Sequence, residues 1–144
     1  MNLNQKGVRA LFNKRALTPF EIMKYLHLAF AFLTISGFVL RGIWMLRGSS
    51  LSRHPLTRTV PHVIDALFLG TGIALVLQLQ LAVLQNDWLL AKFAGLVIYI
   101  VLGAIALRHG KTMHARRLAF AGAVCAFFYI VGAAVSKSPL SWLA

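Results

Sequence analysis

The chain has 144 residues, 59% of them hydrophobic and 12% charged, with 15 Lys and Arg against 3 Asp and Glu for a net charge of +12. So large an apolar fraction excludes a disordered chain and leaves almost no length for a soluble catalytic domain beside a membrane-embedded one. A single cysteine, Cys125, excludes an intrachain disulfide and a thiol-rich metal site, and its place inside an apolar stretch reads as a buried structural thiol.

Residues 1–21 form a basic arm carrying Lys6, Arg9, Lys14 and Arg15, with only a modest apolar stripe from Val8, Leu11 and Phe12. The expectation is a disordered or surface-lying segment. It has no apolar core of its own, so the first membrane helix is expected to serve as an uncleaved targeting signal. Four long apolar stretches follow: Ile22 to Leu46, Val63 to Leu84, Trp88 to Leu107 and Leu118 to Val135. Each is close to the roughly 20 residues that a helix needs to cross the hydrocarbon core of a bilayer. The fold class is therefore an all-α membrane protein, with four transmembrane helices in an antiparallel bundle. The expected bounds are about 22–46, 61–84, 87–107 and 115–136 within a membrane domain of 22–137, followed by a short tail of 138–144.

Each boundary has a chemical reason. Pro61 suits the first turn of the second helix, where a missing N–H costs nothing, with Thr59 as its cap. Asn86 and Asp87 make a very short link that forces the second and third helices to be antiparallel neighbours, and Asp87 suits the positive end of the third helix dipole. Ser138 and Pro139 close the fourth helix, and Trp44, Trp88 and Trp142 fall near span ends as headgroup anchors. Glycines recur in the spans, from Gly37 and Gly42 to Gly122 and Gly132, and imply close helix packing.

The basic residues concentrate at span ends on one side. Loops 47–60 and 108–117 carry Arg47, Arg53, Arg58, Arg108, Lys111, Arg116 and Arg117, seven against about five on the other side. That bias places the loops in the cytoplasm and both termini in the periplasm, in contact with the bilayer and its anionic lipids. Met23 stands at the start of the apolar run, and a chain starting there would make the bias decisive. The same residues, split over two short loops, offer no recognition element for nucleic acid.

Polar groups inside spans face the bundle interior or reach the interface. Arg41 near the end of the first helix and Asp65 near the start of the second occupy the same leaflet, and His62 lies three residues before Asp65 on one face. An intramembrane cluster of Arg41, His62 and Asp65 results, read either as glue between two helices or as a ligand- or proton-binding site. At the opposite leaflet His27 and Lys92 sit at similar depth and form a candidate cofactor site, for haem b or a quinone held between facing helices. His54, His109 and His114 fall in basic loops, and the spacing of the last two does not make a chelating face, so no metal site and no catalytic residue is expected. Filling space is the reading for Tyr99 and for Phe127, Phe128 and Tyr129.

The runs Met23-Lys-Tyr-Leu-His-Leu, Leu40-Arg-Gly-Ile-Trp-Met-Leu46, Val60-Pro-His-Val-Ile-Asp65, and Trp88-Leu-Leu-Ala-Lys92 with Tyr99-Ile-Val-Leu-Gly103 resemble the SirB family of invasion gene expression up-regulators. The resemblance covers about Met23 to Lys137. It implies a four-helix bacterial inner-membrane protein without an established catalytic activity, and it marks Arg41, Pro61, His62, Asp65 and Lys92 as matching the family's polar motif positions. The resulting expectation is a non-enzymatic multi-pass protein, with no cofactor, acting in regulation or envelope physiology through a membrane or cytoplasmic protein partner or a second copy of itself. Lys24 and His27 also look like the first-helix pattern of HemJ-type protoporphyrinogen oxidases, which implies the alternative of a haem- or quinone-binding redox protein.

Overall fold

A computed structural model describes residues 3–80 and 82–143, with the side chains of residues 3 and 12–15 outside the description. The side chains of Phe12, Lys14 and Arg15 invoked for the arm therefore lie outside the described residues. Five helices follow one another: α1 (Leu3–Arg15), α2 (Pro19–Leu46), α3 (Pro55–Gln78), α4 (Asp87–Ala104) and α5 (Met113–Ser136). The last four are long and apolar enough to cross a membrane, with α4 continuing through a widened turn at Ile105–His109.

Helix ends depart from the expected bounds where local chemistry outweighs the onset of the apolar run. The arm expected to be disordered or surface-lying is helical over Leu3–Arg15, with exposed side chains from Asn4 to Leu11. The second helix starts at Pro19 because Thr18 and Glu21 form a reciprocal capping box: Glu21 N–H donates to Thr18 Oγ1 at 3.2 Å and Thr18 N–H to Glu21 Oε2 at 2.9 Å. The third begins at Pro55, not Pro61. His54 caps it, its Nδ1 accepting from the Leu56 N–H at 3.3 Å, so Thr59 is not a cap and Pro61 stands inside the helix. It also ends early, at Gln78, where Gln80 takes a left-handed backbone at φ 52. The link to α4 is consequently residues 79–86 and not the two-residue joint expected at Asn86 and Asp87. Thr112 caps α5, and Lys137, left-handed at φ 50, ends it just ahead of Ser138 and Pro139.

Packing is antiparallel between neighbours. His27 early in α2 meets Phe68 and Thr71 late in α3, while Gly95 early in α4 lies against Ile130 late in α5. At the other end Gly42 of α2 is pressed so closely on the Phe120 ring that any Cβ would clash with it, and Phe38 packs over Gly103 of α4. This close approach is the reason glycine is required at Gly42. Gly37 and Gly70, by contrast, face open space and pack against nothing.

The core is the α2–α4–α5 junction. Phe38, Leu89, Ala119, Ala123, Phe127 and Ala133 are buried there, and Phe38 is the hub of an aromatic group, 5.4 Å from Tyr99 and 5.3 Å from Phe120 between ring centres. No residue of α3 is buried. Cys125, expected inside, is exposed on α5, whose inward face is taken by Ala119, Ala123, Phe127, Ile130 and Ala133. After α5 the chain folds back: Trp142 Nε1 donates to Phe128 O at 2.9 Å and Tyr129 Oη to Pro139 O at 2.8 Å, so Trp142 docks on its own helix.

Candidate functional site

The loop-side end of the bundle gathers the polar side chains. Arg41 from α2, His62 and Asp65 from α3, Tyr99 from α4 and Arg108 from the turn after it line one cavity of about 340 Å³. The three residues expected to cluster are thus brought to a common space, with different bonds from those expected. Arg41 Nε turns back to donate to Gly37 O of its own helix at 3.2 Å. His62 is joined to Arg108, whose Nη2 donates to His62 Nε2 at 2.9 Å, which requires a neutral ring with its proton on Nδ1. Asp65 Oδ1 is shut off from solvent and has no hydrogen-bond partner among the described residues. An oxygen left in that state costs on the order of 1–3 kcal/mol, and Arg41 and Arg108, which line the same cavity, are the positive charges set against it.

Arg108 is the member the sequence did not offer. It stands at the head of the basic loop expected at 108–117, and the widened turn Ile105–His109 carries it back beside His62. That turn is held from below by α5: Arg116 Nε donates to Ala106 O at 2.9 Å and Nη2 to Leu107 O at 3.0 Å, satisfying carbonyls that the end of α4 would leave open. The available signal was depth, since Arg108 follows α4 immediately and so lies level with Arg41 and His62.

A second cavity, of about 310 Å³, adjoins the first and shares Arg41, Leu107 and Arg108 with it. Arg53, Arg58 and Arg116 complete its basic wall.

At the opposite end His27 and Lys92 do line a common void, but it measures only about 40 Å³, the room of one or two waters. His27 Nδ1 lies 3.2 Å from Phe68 O and 3.0 Å from Thr71 Oγ1; since a carbonyl only accepts, Nδ1 carries the proton and donates. The ring stacks on Phe68 with centres 4.7 Å apart. This site as folded fastens α2 to α3 and does not have the volume of a porphyrin. His54, His109 and His114 are exposed, and no group of three or more metal-ligating side chains occurs among the described residues.

Fold and site together define a small all-α protein with four helices fit to span a membrane and an arginine-walled cavity at one end of them. The chain belongs to the SirB family: the family model described as "Invasion gene expression up-regulator, SirB" matches residues 20–139. It is 40% identical over 119 residues to Protein SirB2 of Salmonella typhimurium, covering 80% of this chain and 92% of that one. It is 35% identical over 133 residues to Protein YchQ of Escherichia coli, covering 86% and 98%. A Haemophilus influenzae protein shares 34% identity over 83 residues, covering 58% and 64%. No solved structure matches the chain.

Proposed function

We propose that this protein is a non-enzymatic, multi-pass component of the bacterial inner membrane that acts in regulation or envelope physiology through a protein partner. The observation that carries this reading is the polarity of the bundle: Arg41, His62, Asp65 and the basic loops come together at one end, around two adjoining cavities, while the opposite end closes over His27 and Lys92 with almost no space. The family's description as an up-regulator of gene expression supports a signalling or scaffolding role. The basic segments 47–60 and 108–117 face the cytoplasm and the termini the periplasm, in keeping with the positive-inside rule.

Two measurements test this. Transcript profiling of a deletion strain, complemented with wild type or with Arg41→Ala, is expected to show an expression change that wild type restores and Arg41→Ala does not; an unchanged profile in the deletion strain counts against the regulatory reading. For orientation, the lone cysteine is removed as Cys125→Ser and single cysteines are placed at Ser50 or Ser138. In intact cells an impermeant maleimide is expected to label position 138 and spare position 50, and the reverse pattern would invert the topology.

A further inference from the structure

We propose that the cavity between the 47–54 loop, the start of α3 and the turn after α4 is a binding site for a phosphate-type oxyanion. Its wall carries five arginines, Arg41, Arg53, Arg58, Arg108 and Arg116, and no acidic residue. The chain has only three acids to offer. Glu21 is occupied in the capping box that starts α2, and Asp87 starts α4, so both lie at the far end of the bundle. Asp65 lines the neighbouring cavity and not this one. Asp65 faces Arg41 and Arg108 across that neighbouring cavity, but one carboxylate against five guanidinium groups leaves most of the counter-charge to come from outside the chain.

The donors also remain available. Arg116 spends Nε and one Nη2 bond on backbone carbonyls, Arg108 one Nη2 bond on His62, and Arg41 its Nε on Gly37. Arg53 and Arg58 make no hydrogen bond among the described residues, although both border the cavity. A guanidinium presents a planar fork of donors suited to phosphate oxygens, and charge-assisted bonds of this kind are the strong ones. Ser49 and Thr57 add hydroxyls to the same wall, and at about 310 Å³ the space takes a phosphate group with bound water. Because the cavity opens where the apolar spans end, the phosphate of a lipid headgroup and free phosphate from the aqueous side both reach it. The proposal is independent of any protein partner.

The test uses the full-length protein in detergent. Thermal unfolding and native mass spectrometry are run with phosphatidylglycerol, with phosphatidylcholine, and with inorganic phosphate against chloride at matched ionic strength. The variants are Arg53→Gln with Arg58→Gln, whose side chains are exposed, and, as a control of equal charge, Lys111→Gln with Arg117→Gln, which lie outside the cavity. A midpoint raised by phosphatidylglycerol but not by phosphatidylcholine or inorganic phosphate identifies a headgroup site, and a rise with inorganic phosphate alone identifies a free-anion site. In either case the cavity variant is expected to bind about tenfold or more weakly and the control within about twofold of wild type. No response to either anion, or an equal loss in the control, overturns the proposal, since the first denies a site and the second reduces it to general charge attraction.

Discussion

The α4–α5 pair and the helix α3 are both apolar and of similar length, yet they are held by different means. Between α4 and α5, glycine and alanine bring backbones close, as at Gly95 under Ile130 and Gly122 under Leu102, and α5 supplies more buried residues than any other helix. α3 buries none of its residues and is tied to α2 through specific groups: the His27 bonds to Phe68 and Thr71 and the ring stack at one end, polar cavities at the other. In a bilayer, lipid replaces water around the outer faces, so close packing and hydrogen bonds decide association more than the hydrophobic effect does. A helix in the first class resists displacement along its whole length. A helix in the second, which packs along α2 without burying a residue, leans more on those specific groups.

The largest effect should come from spoiling close packing. Gly42→Leu drives a side chain into Phe120 at the α2–α5 contact and is expected to cost about 3 kcal/mol or more, read as loss of the monodisperse peak in detergent and a lowered unfolding midpoint; an unchanged midpoint would show that α2 and α5 are not packed there. His27→Ala should cost less, about 1–2 kcal/mol. Its signature is selective: faster labelling of a cysteine introduced at Gly72, with α4–α5 unaffected, whereas equal loosening of both regions would erase the distinction between them. Asp65→Asn is expected to have the smallest effect, under about 1 kcal/mol, because Oδ1 has no hydrogen bond to lose. Collapse of membrane accumulation in that variant would instead establish Asp65 with Arg41 as the pin between α2 and α3.

Much of the fold was legible because hydropathy over some twenty residues is a strong signal and needs no partner information. The spans, their number and the depth of each polar residue follow from it. The start of α2 was legible too, in Thr18-Pro-Phe-Glu21, although the onset of the apolar run at Ile22 drew the boundary inward. Pro61 misled for a similar reason, since the apolar run after it hid the second proline-led start at Pro55. What the sequence lacks is the rotation of each helix about its axis. α5 is apolar nearly all round, so nothing marks that Ala119 and Ala123 turn inward and Cys125 outward. The partnership of His62 with Arg108, distant along the chain, depends on the same missing angle, and so does the choice of Arg41 to bond its own helix.

Pro61 has a mechanical consequence. Without its N–H the carbonyl of Thr57 loses its helical partner, and the first turns of α3, which carry Thr57 and Arg58, join the rest of the helix through a backbone with one bond fewer. Across the cavity the turn at Ile105–His109 is clamped by two bonds from Arg116. The arginine-lined mouth thus has one stiff jaw and one compliant jaw, and bending strain applied to the bundle concentrates in the wall that carries Arg58.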